Sequence, residues 1–160
     1  AIPFGLGFVR NNYVGRTFIK PEQSKRREGV DIKLSPVPET VKGKRVVMVD
    51  DSIVRGSTTS GIIRQLKAAG ASQVHVRISS PTIRWPCYFG TDIPTRDELV
   101  ANRYTVPELA AAIGADSLGF LAVESLREIV FAQTKNYCDA CFTGLYPDAP
   151  PGADAQIEEI

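Results

Sequence analysis

An α/β fold built on a parallel sheet is predicted by three features of this 160-residue chain. Residues 45–49 (RVVMV) form a compact β-branched run, the pattern of a strand buried on both faces. Residues 59–69 then place Ile62, Ile63, Leu66 and Ala69 at helical spacing, and residues 74–78 (VHVRI) alternate as a second strand. Strand, helix and strand in that order make a βαβ unit, which calls for parallel pairing through a right-handed crossover.

Ahead of that unit, residues 8–20 mix apolar and polar side chains around Gly15 and predict a short strand or a mobile loop. Residues 21–29 (PEQSKRREG) are polar and strongly basic without apolar periodicity, so they read as a solvated loop. A short strand is expected over 32–37, limited by Pro36 and Pro38. Gly70 is placed to cap the helix of 59–69. Downstream, 96–101 and 106–113 read as helices, the second with Pro107 near its start and Gly114 near its end. A further strand is expected over 117–123 and a last helix over 125–132. Residues 149–160, rich in Pro, Ala and acids, show no apolar face and are expected to fray.

Composition narrows the class. Hydrophobic residues make up 43% and charged residues 23%, a globular balance sufficient for one domain with a real core. A net charge of +1 gives no bulk attraction to nucleic acid or membranes. No apolar run of about 18 residues is present, and the first ten residues do not have the pattern of an export signal. The chain opens on Ala1 in apolar, Gly-rich sequence, which reads like the middle of a domain. The expected organisation is a partial domain over 1–132 and a C-terminal segment over 133–160. Three cysteines without an export signal argue for a reducing compartment, the cytoplasm.

The chemistry concentrates after the first buried strand, in Asp50-Asp51-Ser52-Ile53-Val54-Arg55-Gly56-Ser57-Thr58-Thr59. Parallel sheets place ligands beyond the carboxyl ends of their strands. The following helix start offers unpaired N–H groups and a positive dipole end to an anion. Gly56 permits a tight turn close to a phosphate, and Ser57, Thr58 and Thr59 add hydroxyl donors. Asp50 and Asp51 supply acceptors suited to sugar hydroxyls or to Mg²⁺ and its waters. Neither a Walker A loop nor a G-x-G-x-x-G is present, so a phosphate beside a diol fits better than a nucleoside triphosphate or a dinucleotide. A plain helix cap would not need two acids, an Arg, a Gly and three hydroxyls together.

Cys138-Asp139-Ala140-Cys141 is a C-x-x-C, with Cys87 about fifty residues upstream. By pattern alone it is open between a redox pair, half a zinc site and part of an iron–sulfur site. The single histidine, His75, falls inside a predicted strand, where a satisfied structural role is expected.

Residues 46–60 resemble the phosphoribosyl-pyrophosphate (PRPP) loop of type I phosphoribosyltransferases, and D-D-S-I-V-R-G-S-T is most similar to the form in glutamine PRPP amidotransferases. The stretches 13–19 (YVGRTFI), 76–81 (VRISSP) and 90–96 (GTDIPTR) are similar to that family too, so the resemblance runs from about Ile2 to about Pro147. It implies a parallel-sheet phosphoribosyltransferase fold, incomplete in this chain. The implied activity is a pentosyl transfer that makes 5-phosphoribosylamine from PRPP and glutamine-derived ammonia, the first committed step of purine synthesis.

The resemblance also assigns roles. Asp50 and Asp51 would contact the ribose hydroxyls and Mg²⁺. Ser52, Arg55, Gly56, Ser57 and Thr58 would cradle the 5′-phosphate. Tyr13, Arg16 and Thr17 would lie on a loop that closes over PRPP, bringing Arg16 onto the leaving pyrophosphate. Lys33 and Lys42 are further candidates to meet that pyrophosphate. Cys87, Cys138 and Cys141 fall where three ligands of a [4Fe–4S] cluster lie in some of these enzymes; the fourth would come from outside this chain, and the cluster's role would be structural. Ammonia would arrive from a glutaminase domain of which the sequence carries no trace, and the complete enzyme would be a homo-oligomer without nucleic-acid or membrane partners. Two other readings keep the loop: a PRPP-binding regulator without the chemistry, and a base-salvage phosphoribosyltransferase, in which the cysteines would have no purpose. A small zinc module is a third.

Overall fold

The computed structural model describes residues 2–10, 34–91, 93, 95–131 and 137–148. Within them, a three-stranded parallel sheet in the order β3-β4-β5 carries the architecture, where β3 is Arg45–Asp50, β4 Gln73–Ile78 and β5 Ser117–Phe120. β3 pairs β4 in register Arg45↔Gln73 to Asp50↔Ile78, and β4 pairs β5 from His75↔Ser117 to Ile78↔Phe120. A two-stranded antiparallel ribbon of β1 (Phe8–Arg10) and β2 (Leu34–Pro36) stands beside it. Pro36 is tolerated in β2 because a ribbon strand leaves N–H positions that need no partner.

The crossover helix α2 (Ser57–Ala68) joins β3 to β4, as the βαβ pattern requires. A one-turn helix, α1 (Pro38–Val41), precedes β3. Ile62, Ile63 and Leu66 of α2 pack with Val74, Val76 and Ile78 of β4 and with Leu109 and Ile113 of α3 (Val106–Ile113). Each such side chain stabilises the fold by about 1.5–3 kcal/mol relative to exposure. Gly70 ends α2 at φ +97°, with the Ala71 N–H returning to Leu66 O at 3.0 Å, the left-handed exit that a residue without Cβ adopts freely. α3 starts on Thr105, whose N–H and hydroxyl both donate to Glu108, at 2.8 and 2.7 Å. These two bonds, the N–H first, hold the Glu108 carboxyl below its usual range. α4 (Val123–Phe131) and the one-turn α5 (Ala140–Thr143) complete the described chain.

Four expectations change. β3 is not covered on both faces: Val46 and Met48 lie against the core, whereas Val47 is 41% and Val49 71% exposed. Among the described residues the helices bear on one face, and β3 is a sheet edge. Residues 96–101 do not make one helix but two 3₁₀ turns, Arg96–Glu98 and Val100–Asn102, broken at Leu99, whose ψ is 111°. The reason is that Leu99, Val100 and Ala101 are all buried; three consecutive inward residues do not fit the helical period. The strand expected over 117–123 stops at Phe120, and the last helix begins earlier, at Val123. Finally, α2 begins at Ser57 rather than Thr59.

Candidate functional site

β3 delivers Asp50 to the carboxyl end of the sheet, and six residues of non-helical chain follow before α2. The continuation of β4 holds that loop: Ser79 and Ser80 N–H groups donate to the Asp50 and Asp51 carbonyls, each at 3.0 Å. Within the loop the Asp51 N–H donates to Asp50 Oδ1 at 3.0 Å, and Ser52 Oγ donates to Asp51 Oδ1 at 3.1 Å. The acids are therefore presented together. Burial pushes the Asp50 carboxyl above its ordinary value, the Asp51 N–H opposes this, and the Asp51 charge adds to it. Two carboxylates sharing one edge, one of them partly desolvated, favour a cation or hydroxyl donors between them.

Gly56 caps α2 in the left-handed region at φ +77°, and a Cβ there would meet Ile113 Cγ2 at 3.4 Å. No side chain caps the helix, and its first bond runs from the Ser60 N–H to Gly56 O at 2.9 Å. The N–H groups of the first turn are thus left for a ligand. Ser57 is exposed and Thr58 half-buried beside them. Thr59 is only 3% exposed; it belongs to the core face of α2, so the hydroxyl set expected there shrinks from three to two.

Arg55 sits in the loop, and its guanidinium reaches Glu98 at 2.8 Å. The same segment donates the Val100 N–H to Val54 O at 2.9 Å, and Ile53, 3% exposed, anchors the loop in the core. Sequence reasoning missed Glu98, Ser79 and Ser80 as supports, because partners 28 to 43 residues apart leave no local signal. Lys42 lies at the opposite end of β3, where Gly70 backs onto its side chain. The six-residue strand sets it about 20 Å from the loop, so it is not a pyrophosphate partner of this site. Tyr13, Arg16, Thr17 and Lys33 lie outside the described residues.

The cysteines gather at a second place. Arg84 and Trp85 N–H groups donate to Cys141 O at 3.0 and 3.1 Å, tying α5 to the chain around Cys87. Burial, then the charges of Cys87 and Cys138, push the Cys141 thiol up to about 11. For Cys87, burial raises the pKa, but N–H groups of Phe89, Thr91 and Gly90 and the Thr91 hydroxyl outweigh it and lower the thiol below its usual value. Among the described residues no three His, Cys, Asp or Glu side chains converge on a single ion. Asp139, between the two cysteines of the C-x-x-C, accepts from Arg127 Nε and Nη2 at 2.8 and 2.7 Å. His75 is structural, as expected: Nδ1 meets Ser117 Oγ at 2.8 Å and Nε2 meets Gln73 Oε1 at 3.3 Å.

No family model matches the chain. Curated proteins do. Amidophosphoribosyltransferase from Bacillus subtilis is 52% identical over 150 residues, 91% of this chain and 32% of that protein. The chloroplastic amidophosphoribosyltransferase 1 of Arabidopsis thaliana is 52% identical over 149 residues, 93% of this chain and 26% of that protein. The solved glutamine PRPP amidotransferase from B. subtilis, complexed with ADP and GMP, matches with a TM-score of 0.76 at 52% identity, over 91% of this chain and 33% of its own. A second structure, described as the allosteric regulatory enzyme of purine biosynthesis, gives a TM-score of 0.75 at the same identity. The chain spans about a quarter to a third of the length of these relatives. By sequence and by fold it belongs with the amidophosphoribosyltransferases, as a homologue of one segment of them.

Proposed function

We propose that this chain is the PRPP-binding portion of an enzyme that makes 5-phosphoribosylamine from PRPP and ammonia released from glutamine. The observation that carries the reading is the loop at the carboxyl end of β3, where two acids precede a left-handed glycine and an uncapped helix start. The first-turn N–H groups of α2, with Ser52, Ser57 and Thr58, hold the 5′-phosphate. Asp50 and Asp51 accept from the ribose 2′- and 3′-hydroxyls and would also hold Mg²⁺, which when bound neutralises pyrophosphate charge. Gly56 and Arg55, whose guanidinium is braced by Glu98, complete that phosphate cradle. Ammonia nitrogen attacks C1 as the C1–O bond to pyrophosphate breaks, so the sugar acquires oxocarbenium character beside the two carboxylates. Tyr13, Arg16 and Thr17 would close over the substrate, with Arg16 on the departing pyrophosphate.

We further propose a [4Fe–4S] cluster on Cys87, Cys138 and Cys141, with a fourth ligand from elsewhere. The Cys141 thiol feels the charges of Cys87 and Cys138, and Cys87 already sits among donors that stabilise a thiolate. The cluster would pin α5 against the segment around Trp85. No described helix is long and apolar enough to cross a membrane; the cytoplasm remains the proposed compartment, although some relatives are named chloroplastic.

Calorimetric titration of the full-length enzyme with ribose 5-phosphate tests the reading. Saturable binding is expected, weakened at least about tenfold by Asp51→Asn, which removes a charge-assisted hydroxyl contact. Equal affinity in the variant would remove the acids from the site.

A further inference from the structure

A second basic concavity lies outside the Asp50–Thr59 loop. Arg84, Arg96, Asp97, Asn102 and Arg103 line a cleft of about 610 Å³, and none of the five belongs to that loop. Its walls are held before any ligand arrives. The Asn102 side-chain amide donates to the carbonyls of Arg84 and Arg96, at 2.8 and 3.2 Å, so one residue fastens both arginine-bearing segments. Arg96 stacks on Trp85 with its guanidinium carbon 4.1 Å from the ring centroid. Trp85 in turn is fixed by its N–H bond to Cys141 O and by the Gly144 backbone against its ring. Arg103 follows Asn102 directly at the end of the second 3₁₀ turn.

The charge of this cleft is not neutralised by an ion pair within the described chain. Arg84, Arg96 and Arg103 form no salt bridge among the described residues, and Asp97, which lines the same cleft, pairs with none of them. Three guanidiniums facing one carboxylate repel each other, a cost that an anion between them reverses. Trp85 is covered by Arg96 on one side and by Gly144 on another, so it is not open to stack on a nucleobase. The concave shape and a net chain charge of only +1 suit a small molecule rather than a nucleic-acid backbone.

We propose that this cleft binds a small phosphorylated molecule, with Arg84, Arg96 and Arg103 on its phosphoryl oxygens and Asp97 accepting from a hydroxyl. The segment that lines it also carries Glu98, the partner of Arg55, and Val100, the partner of Val54. The cleft and the loop are thus braced by one segment. The site does not depend on what the loop itself binds.

The test is calorimetric titration of the full-length enzyme with glycerol 3-phosphate, with glycerol as the uncharged control. Two variants separate the sites. Ser57→Glu places a carboxylate at the start of α2 and excludes phosphate from the loop, while suiting the helix dipole. Arg84→Gln with Arg103→Gln neutralises two exposed cleft side chains that make no side-chain hydrogen bond or salt bridge among the described residues. Saturable binding is expected in the wild type and in Ser57→Glu, and about tenfold weaker binding in the double variant. Arg103→Gln alone, expected to weaken binding severalfold, keeps the test if the double variant does not fold. Absence of saturable binding in Ser57→Glu, unchanged affinity in the arginine variants, or equal binding of glycerol would each overturn the assignment.

Discussion

Gly56 decides the shape of the loop by itself. Its φ of +77° costs an L side chain about 1–2 kcal/mol, whereas an added Cβ would only touch Ile113 at 3.4 Å. Gly56→Ala is expected to lower the melting temperature by several degrees and to weaken ribose 5-phosphate binding more than tenfold, because the turn that aims the first-turn N–H groups shifts. Undiminished affinity in a titration would mean that the turn does not form the phosphate cradle. Asp50 behaves differently. Its carboxyl is raised by burial above all, so it contributes stability below the ordinary carboxyl pKa and loses it as pH rises through the higher folded value. At neutral pH the ionised group works against the unliganded fold. Asp50→Asn is therefore expected to raise the ligand-free melting temperature by a few degrees at pH 7, to have little effect near pH 3, and to abolish ribose 5-phosphate binding. Calorimetric melts at the two pH values check this; a variant destabilised at pH 7 would contradict it. Such a residue, costly to the fold and suited to a cation, is what a binding site retains and a core does not.

At the scale of elements, α5 and the turn around Trp85 meet at a close contact. A Cβ on Gly144 would fall 2.7 Å from Trp85 Cε2, and Gly144 itself is at φ +78°. Gly144→Ala must expel the indole, which removes the surface on which Arg96 stacks and loosens the contact of Tyr146 with Pro86 O. Trp85 is the one tryptophan in the chain, so its emission reports the event directly. A red shift and a loss of about 2–4 kcal/mol are expected from clash and backbone strain together; an unshifted spectrum would show that the indole keeps its place beside residue 144. β3 illustrates the opposite case. Its β-branched composition is that of a strand covered twice, yet Val49 is 71% exposed. Composition reports which residues tolerate a pleated, apolar setting; which elements arrive to cover each face depends on the rest of the fold.

For the whole molecule, two sites are joined by one stretch of chain. Residues 84–103 run from the cysteine region, through the arginine cleft, to the two contacts that brace the loop after β3. A cluster on Cys87, Cys138 and Cys141 would hold the far end of that stretch. Anaerobically purified full-length enzyme is expected to contain iron and sulfide in equal amounts, and Cys138→Ser is expected to lose both. Iron-free wild-type protein would assign these cysteines to ordinary packing.

The order of elements, the position of the loop and the glycine ends of the helices were legible in the sequence, because each rests on local chemistry. β-branched residues make strands, apolar residues at helical spacing make α2 and α3, and Gly70 and Gly114 end them at positive φ. The loop was legible for the same reason: a strand end, two acids, a glycine and hydroxyls are contiguous. What only the tertiary structure decided is every pairing across long separations. That Arg55 turns to Glu98, that Thr59 points inward, that Lys42 lies at the wrong end of β3, and that three arginines share one cleft follow from how the elements pack. Packing is set by the sum of many weak contacts distributed along the chain, and no short stretch of residues encodes it.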